Sequence, residues 1–187
     1  VNLADCLPPL HVAFRPDIAK SHADLLPFYQ EVANAQADGC DLVVAETLSS
    51  VSEVTAAAQA GVETSLPTWV FMTLNDDDSG TLRSGEPLSE ALSALDDIAV
   101  AGLGINCCKP EVLEANLPTV LATGRPTGAY ANGFTGIDAL EIGGTVDGLK
   151  ARKDLTPAAH ADLAMPWVAQ GLHFIGGCCE VGPAHIA

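Results

Sequence analysis

Two pairs of adjacent cysteines carry the chemistry that this chain could do: Asn106-Cys107-Cys108, and Gly176-Gly177-Cys178-Cys179. Each pair follows a short apolar run with strand character, residues 100–105 and 172–175. In a parallel α/β barrel the strand ends meet at one face, so thiols far apart in sequence converge there. Three converging thiolates make a soft site suited to zinc, and Cys107, Cys178 and Cys179 would leave open the fourth position that a catalytic zinc needs. The glycines before Cys178 allow the close backbone approach such a turn requires. Cys108, one residue further into its loop, reads as a buried spectator. From spacing alone the alternatives stay open: Cys178 and Cys179 equally suit a pair of small core residues or a strained vicinal disulfide. Cys6 and Cys40 have no partner pattern around them, and Cys40 reads as a small buried residue at a strand entrance.

The elements that must position these thiols alternate between strand and helix without a break in composition, the pattern of a parallel α/β fold. Helical spacing covers residues 24–38, with Gly39 as its cap, then 50–60, 87–98, 111–122 and 156–170, where Pro166 is expected to kink or interrupt the helix. Strand character covers 41–45, 68–74, 100–106, 126–131 and 172–175, with a sixth strand at 1–4. Residues 132–153 hold five glycines and no clear period, a long connection of the kind that is often functional. Glu46 closes the second strand and on its own reads as a solvated acid. His173 reads as a hydrogen-bonded core histidine, and His185 as a capping or packing residue.

A chain of 187 residues with 48% hydrophobic residues supports one ordered domain with a sizeable core. The net charge of −16, from 24 acids against 8 bases, argues against a nucleic-acid backbone or an anionic membrane surface as partner. No apolar stretch reaches the roughly 20 residues needed to span a bilayer, and the N-terminus lacks a signal-peptide pattern. A cytoplasmic location is therefore the default, where cysteines are free or metal-bound more often than disulfide-paired.

Taken together, these residues resemble the homocysteine S-methyltransferase family. The likeness rests on Asn106-Cys107 and Gly176 to Cys179, and extends to Leu7-Pro8-Pro9 with Arg15-Pro16-Asp17, Glu46-Thr47, Tyr130-Ala131-Asn132 and Gly182-Pro183-x-His185-Ile186. The resemblance implies a (β/α)8 TIM barrel, here incomplete, with about six of eight strands. Residues 1–187 would form one homocysteine-binding domain lacking the family's first two strands, with their Asp-Gly-Gly turn, and its final helix. It implies Zn2+ held by Cys107, Cys178 and Cys179, with Glu46 and Asn106 as substrate-binding residues and Glu46 near the substrate amine. Glu180 stands where many members have glycine, and a positive φ there would be costly for it.

The activity so implied is transfer of a methyl group to the sulfur of L-homocysteine, giving methionine, from a small sulfonium donor such as S-methylmethionine or S-adenosylmethionine. The loop 132–153 is the candidate for donor contact. Unpaired barrel edges are expected to favour self-association, and the chain alone is expected to have little activity. A zinc-binding but inactive barrel fragment is the main alternative. A dithiol redox or metal-storage module is the other, and the absence of any Cys-x-x-Cys spacing counts against it.

Overall fold

A computed structural model of the chain describes residues 2–10, 18, 20–137, 140 and 145–187. Arg15-Pro16-Asp17, Val1 and six positions of the 132–153 connection lie outside the described residues. Six strands form one sheet in the order β1 to β6, all parallel: β1 (Ala4–Leu7), β2 (Leu42–Leu48), β3 (Thr68–Met72), β4 (Gly102–Asn106), β5 (Thr127–Tyr130) and β6 (Phe174–Ile175). Among the described residues β1 and β6 each pair on one side only, so the sheet is an open, incomplete (β/α) barrel.

Helices α1 (His22–Gln36), α2 (Val51–Glu63), α3 (Leu88–Ser93), α4 (Pro110–Leu121) and α5 (Pro157–Ala169) connect the strands. Their starts follow from local chemistry. The Ser50 hydroxyl accepts the Glu53 N–H, while the Glu53 carboxylate reaches back to the Ser49 N–H at 2.9 Å, a reciprocal cap on α2. Ser21 and Thr156 cap α1 and α5 from one side only, accepting the Asp24 and Ala159 N–H groups.

Side chains alternate across each strand, and the two faces do different work. Val43, Ala45, Val70, Met72, Leu103, Ile105 and Ala129 face the helices and make the main core. Val44, Trp69, Phe71, Tyr130 and Phe174 belong to a second cluster on the concave face. Ring centroids there stand 4.8 Å apart for Phe71 and Tyr130 and 5.2 Å for Phe71 and Phe174. Glycine makes the room: a Cβ on Gly102 would lie 2.4 Å from Trp69, and one on Gly104 2.3 Å from Phe71 Cε1.

Several sequence expectations are corrected. The first strand runs over Ala4–Leu7 instead of 1–4, because its register places Cys6 opposite Val44 and Leu7 opposite Ala45. Helix α3 ends at Ser93 and continues as three-residue turns toward Ile98. Pro166 does not end α5; the carbonyl it leaves without a helical donor belongs to exposed Asp162, where water can serve. His173 is exposed, since its neighbour Leu172 takes the inward position. Cys40 is half-buried. A last helical turn, α6 (Pro183–Ile186), forms where no helix was expected, and His185 caps it by accepting the Gly182 N–H at 3.1 Å.

Asp5 is the odd residue of the sheet. It is 1% exposed, and neither carboxylate oxygen has a well-formed hydrogen bond. Burial holds its pKa above the ordinary carboxylate value, opposed only by the Cys6 backbone. A raised folded-state pKa means that folding favours the protonated acid, so Asp5 lowers stability increasingly as pH rises above the unfolded value of about 4. Asp5→Asn is expected to raise the thermal midpoint at pH 7 by a few degrees, at about 2–4 °C per kcal/mol. That gain shrinks below about pH 4. Thermal unfolding of both proteins at pH 4 and pH 7 checks it, and a lower midpoint for the variant at pH 7 would contradict it.

Candidate metal centre

The strand ends deliver the three cysteines to one place. Cys107 follows β4, and Cys178 and Cys179 follow β6, with β5 between them. Their sulfurs all lie within 4.8 Å of one another. The Cys178 and Cys179 sulfurs stand 3.8 Å apart, which matches the edge of a tetrahedron built on Zn–S bonds of about 2.3 Å, roughly 3.8 Å. The soft donor set and its spacing fit a thiophilic ion.

Cys107 and Cys178 are joined as a disulfide, with Cα atoms 5.7 Å apart. The bond runs against the default of unpaired cysteines, and of the alternatives left open for Cys178 and Cys179 the vicinal disulfide is not the one formed, since the bond crosses between strand ends. The cause is topological, since β4 and β6 flank β5 and their ends converge. Two-electron reduction of this bond returns the two thiols, whose thiolates are the metal-ligating form. Cys179 is free and exposed, and burial, then Glu180 and Glu46, hold its thiol pKa above the usual value. Cys108 is fully buried, as expected of a spectator.

Backbone geometry aims the thiols. Cys107 has φ 56 and Glu180 φ 64, so both sit in the left-handed region without being glycine. Glu180 thus takes the conformation that was expected to be costly for it. The Cys107 N–H donates to the Tyr130 carbonyl and the Cys178 N–H to the Ala131 carbonyl, both at 3.0 Å, which ties both cysteine segments to the end of β5. Asn132 adds a side-chain bond, its Nδ2 donating to the Cys107 carbonyl at 2.9 Å. Gly177 is required because a Cβ there would lie 2.1 Å from Val181 Cγ1, inside the turn that closes with the Val181 N–H on the Cys178 carbonyl.

Glu46 lies on the same concave face, beside a cavity of ≈ 320 Å³ that Cys6, Tyr130, Phe174 and Gly176 also line. The Tyr130 hydroxyl donates to Glu46 Oε2 at 2.5 Å and the Cys6 thiol to Oε1 at 3.0 Å. Burial first, then the Glu46 charge, pushes the Cys6 thiol up to about 12 and the Tyr130 phenol above its ordinary value. Both therefore stay protonated donors to the Glu46 carboxylate at neutral pH. Glu46 is thus not a free surface acid.

Asn106 is fully buried with its amide turned on Thr47: Oδ1 accepts the Thr47 N–H and Nδ2 donates to Thr47 Oγ1, each at 2.9 Å. That clamp holds Thr47 at φ 61, directly after Glu46. Sequence reasoning placed Glu46, Asn106 and the cysteines but assigned no role to Cys6, Tyr130 or Asn132. The signal for Tyr130 and Asn132 was their place in the Tyr130-Ala131-Asn132 motif; Cys6 carried none.

The family model for homocysteine S-methyltransferase matches residues 2–187. The homocysteine S-methyltransferase of Escherichia coli K12 is 34% identical over 154 residues, covering 80% of this chain and 46% of that protein. Crystal structures of the E. coli homocysteine methyltransferase MmuM in metallated and in oxidised form each superpose with TM-score 0.70 at 30% identity, over 93% of this chain and 53% of theirs. The chain therefore spans about half the length of these relatives. With the open parallel barrel and the strand-end cysteines in place, the match across residues 2–187 makes this chain a member of the homocysteine S-methyltransferase family.

Proposed function

We propose that Cys107, Cys178 and Cys179, reduced, hold one zinc ion, and that this domain binds L-homocysteine for methylation at sulfur by a small sulfonium donor, S-methylmethionine or S-adenosylmethionine. The observation that carries the reading is the three-sulfur cluster at converging strand ends in a chain matching this family along its length. When bound, zinc supplies a Lewis-acidic centre at which a substrate thiol loses its proton near neutral pH.

The chain's own residues supply binding and orientation. Three cysteine ligands leave a fourth position for the substrate sulfur. Glu46, held by Tyr130 and Cys6, offers a fixed single charge suited to the substrate ammonium. Asn106 acts by holding Thr47, and with it the Glu46 strand end. In the transfer, the sulfur lone pair of the substrate forms the new S–CH3 bond while the donor's C–S bond breaks. Its electron pair returns to the donor sulfur, which becomes a neutral thioether. The donor's charge disappears in this step, so a site that excludes water favours it.

Glu46→Gln is expected to weaken homocysteine binding by about 10- to 100-fold, because a hydrogen bond to a charged group contributes about 1.5–3 kcal/mol. Zinc content should be unchanged. Calorimetric titration of homocysteine into the reduced, zinc-loaded protein tests it; equal affinities would remove Glu46 from the binding role.

One observation favours a second reading, in which the chain binds metal without turnover. Among the described residues the sheet ends on β1 and β6 with one partner each, and such edges invite a second chain. Assay of the chain with homocysteine and S-methylmethionine, beside its sedimentation profile, separates the two.

A further inference from the structure

We infer that a buried ion pair in the β3–α3 connection, Asp76 with Arg83, is the positioning device of the Cys107 loop; this rests on the metal reading above. Arg83 Nη2 stands 3.4 Å from Asp76 Oδ2, and the two side chains are 6% and 7% exposed. The connection that carries them folds back on itself, Leu74 bridging Leu82 and Thr81 bridging Pro87.

Two arms run from the pair to the end of β4. Arg83 Nε donates to Thr73 Oγ1 at 3.3 Å, and the fully buried Thr73 hydroxyl donates onward to the Cys107 carbonyl at 3.3 Å. On the other side, Asp76 Oδ1 accepts the Lys109 N–H at 3.1 Å. The carbonyl of residue 107 and the amide of residue 109 are thus pinned from one point.

Cys107 needs such pinning. A non-glycine residue at φ 56 holds that conformation only where its surroundings over-determine it. Its carbonyl receives donors from Asn132 as well as Thr73, so a direction is fixed from two sides. The same connection reaches the end of β2, where the Ser84 N–H donates to the Ser49 carbonyl and Glu86 accepts the Val51 N–H. It therefore holds the strand end of Glu46 against that of Cys107. A buried ion pair is a weak source of net stability, but it is demanding in geometry, and that is its use here. Both charges reach the Cys107 loop through Thr73 and the Lys109 amide, so both are positioning residues.

The test is titration of the reduced full chain with Co2+, reading the thiolate-to-cobalt charge-transfer band and the dissociation constant by chelator competition. Asp76→Leu with Arg83→Met removes the pair together, so that neither of the two is left facing an apolar replacement of the other. Thr73→Val removes the relay alone, and Thr73→Ser restores it. The double variant is expected to bind Co2+ about 10- to 100-fold more weakly, as loss of outer-shell support does elsewhere, with a reduced band per bound ion. Thr73→Val should lose about 10-fold and Thr73→Ser should stay within about 3-fold of the parent.

Folded variants with the parent's circular dichroism, affinity within about 2-fold and an unchanged band would overturn the inference while leaving the metal site standing. Should the double variant not fold, Thr73→Val against Thr73→Ser decides in the same way. A parent protein with no charge-transfer band would overturn the metal reading and this inference with it.

Discussion

Serine at Cys107, Cys178 or Cys179, one at a time, is expected to lower the zinc content of the reduced protein from about one ion per chain to nearly none, with affinity falling by more than about 100-fold. The expectation follows from the donor set. In the proposed site the three sulfurs within 4.8 Å of one another are the protein ligands, so each replacement would leave two thiolates and a weakly donating hydroxyl. The neighbouring cysteines cannot substitute. Cys108 is fully buried in the main core, and the Cys6 thiol is engaged with Glu46, so neither belongs to the cluster. Serine at Cys6, Cys40 or Cys108 should therefore leave the zinc content as it is. Because ligation requires deprotonated thiols, protons compete with the metal as pH falls, and zinc is released on acidification. Metal analysis of reduced, buffer-exchanged protein checks the series. Full retention in Cys107→Ser, or loss in Cys40→Ser, would show the donor set to be different.

The convergence of these cysteines was legible because it needs little more than the order of the strands. Parallel strands joined by helices bring their C-terminal ends to one face, whatever the exact boundaries. The partners of Glu46 were not legible. Tyr130 is 84 residues away, and their meeting depends on the register from β2 to β5, which sets both residues on the concave face, and on the reach of the tyrosine side chain. Cys6 could not be placed while the first strand was assigned to residues 1–4, since a shift along the strand changes which side chains face inward. The left-handed residues were equally hidden. Thr47 and Cys107 stand where glycine or asparagine would have announced a positive φ, and what holds them there is a set of tertiary hydrogen bonds from Asn106, Asn132 and Thr73. The apolar runs marked the strands but not the aromatic filling of the concave face, which depends on glycines in one strand lying opposite rings in the next.

That filling makes Gly104→Ala a severe change for so small an addition. The new Cβ would lie 2.3 Å from Phe71 Cε1 and 2.4 Å from the Gly128 carbonyl oxygen. A ring edge can turn, but Phe71 is fully buried, with Tyr130 4.8 Å and Phe174 5.2 Å away between centroids, so turning displaces two further rings. The Gly128 oxygen is backbone in the adjacent strand and moves only if β4 and β5 separate. Overpacking ordinarily costs about 1–3 kcal/mol, and contact with a strand backbone puts this site at or above the upper end, about 3 kcal/mol. Against the usual 5–15 kcal/mol of native stability that is a large share. The site should feel it first. Asn106 pairs with Tyr130 across the same two strands, and the Cys107 N–H bonds the Tyr130 carbonyl, so parting β4 from β5 moves Cys107 away from Cys178. Gly104→Ala is thus expected to lower the midpoint of urea unfolding and to lose zinc before it loses secondary structure. Paired measurements of zinc release and circular dichroism along one urea titration check this. Coincident transitions at the parent's midpoint would mean that the concave face has slack that the packing does not show.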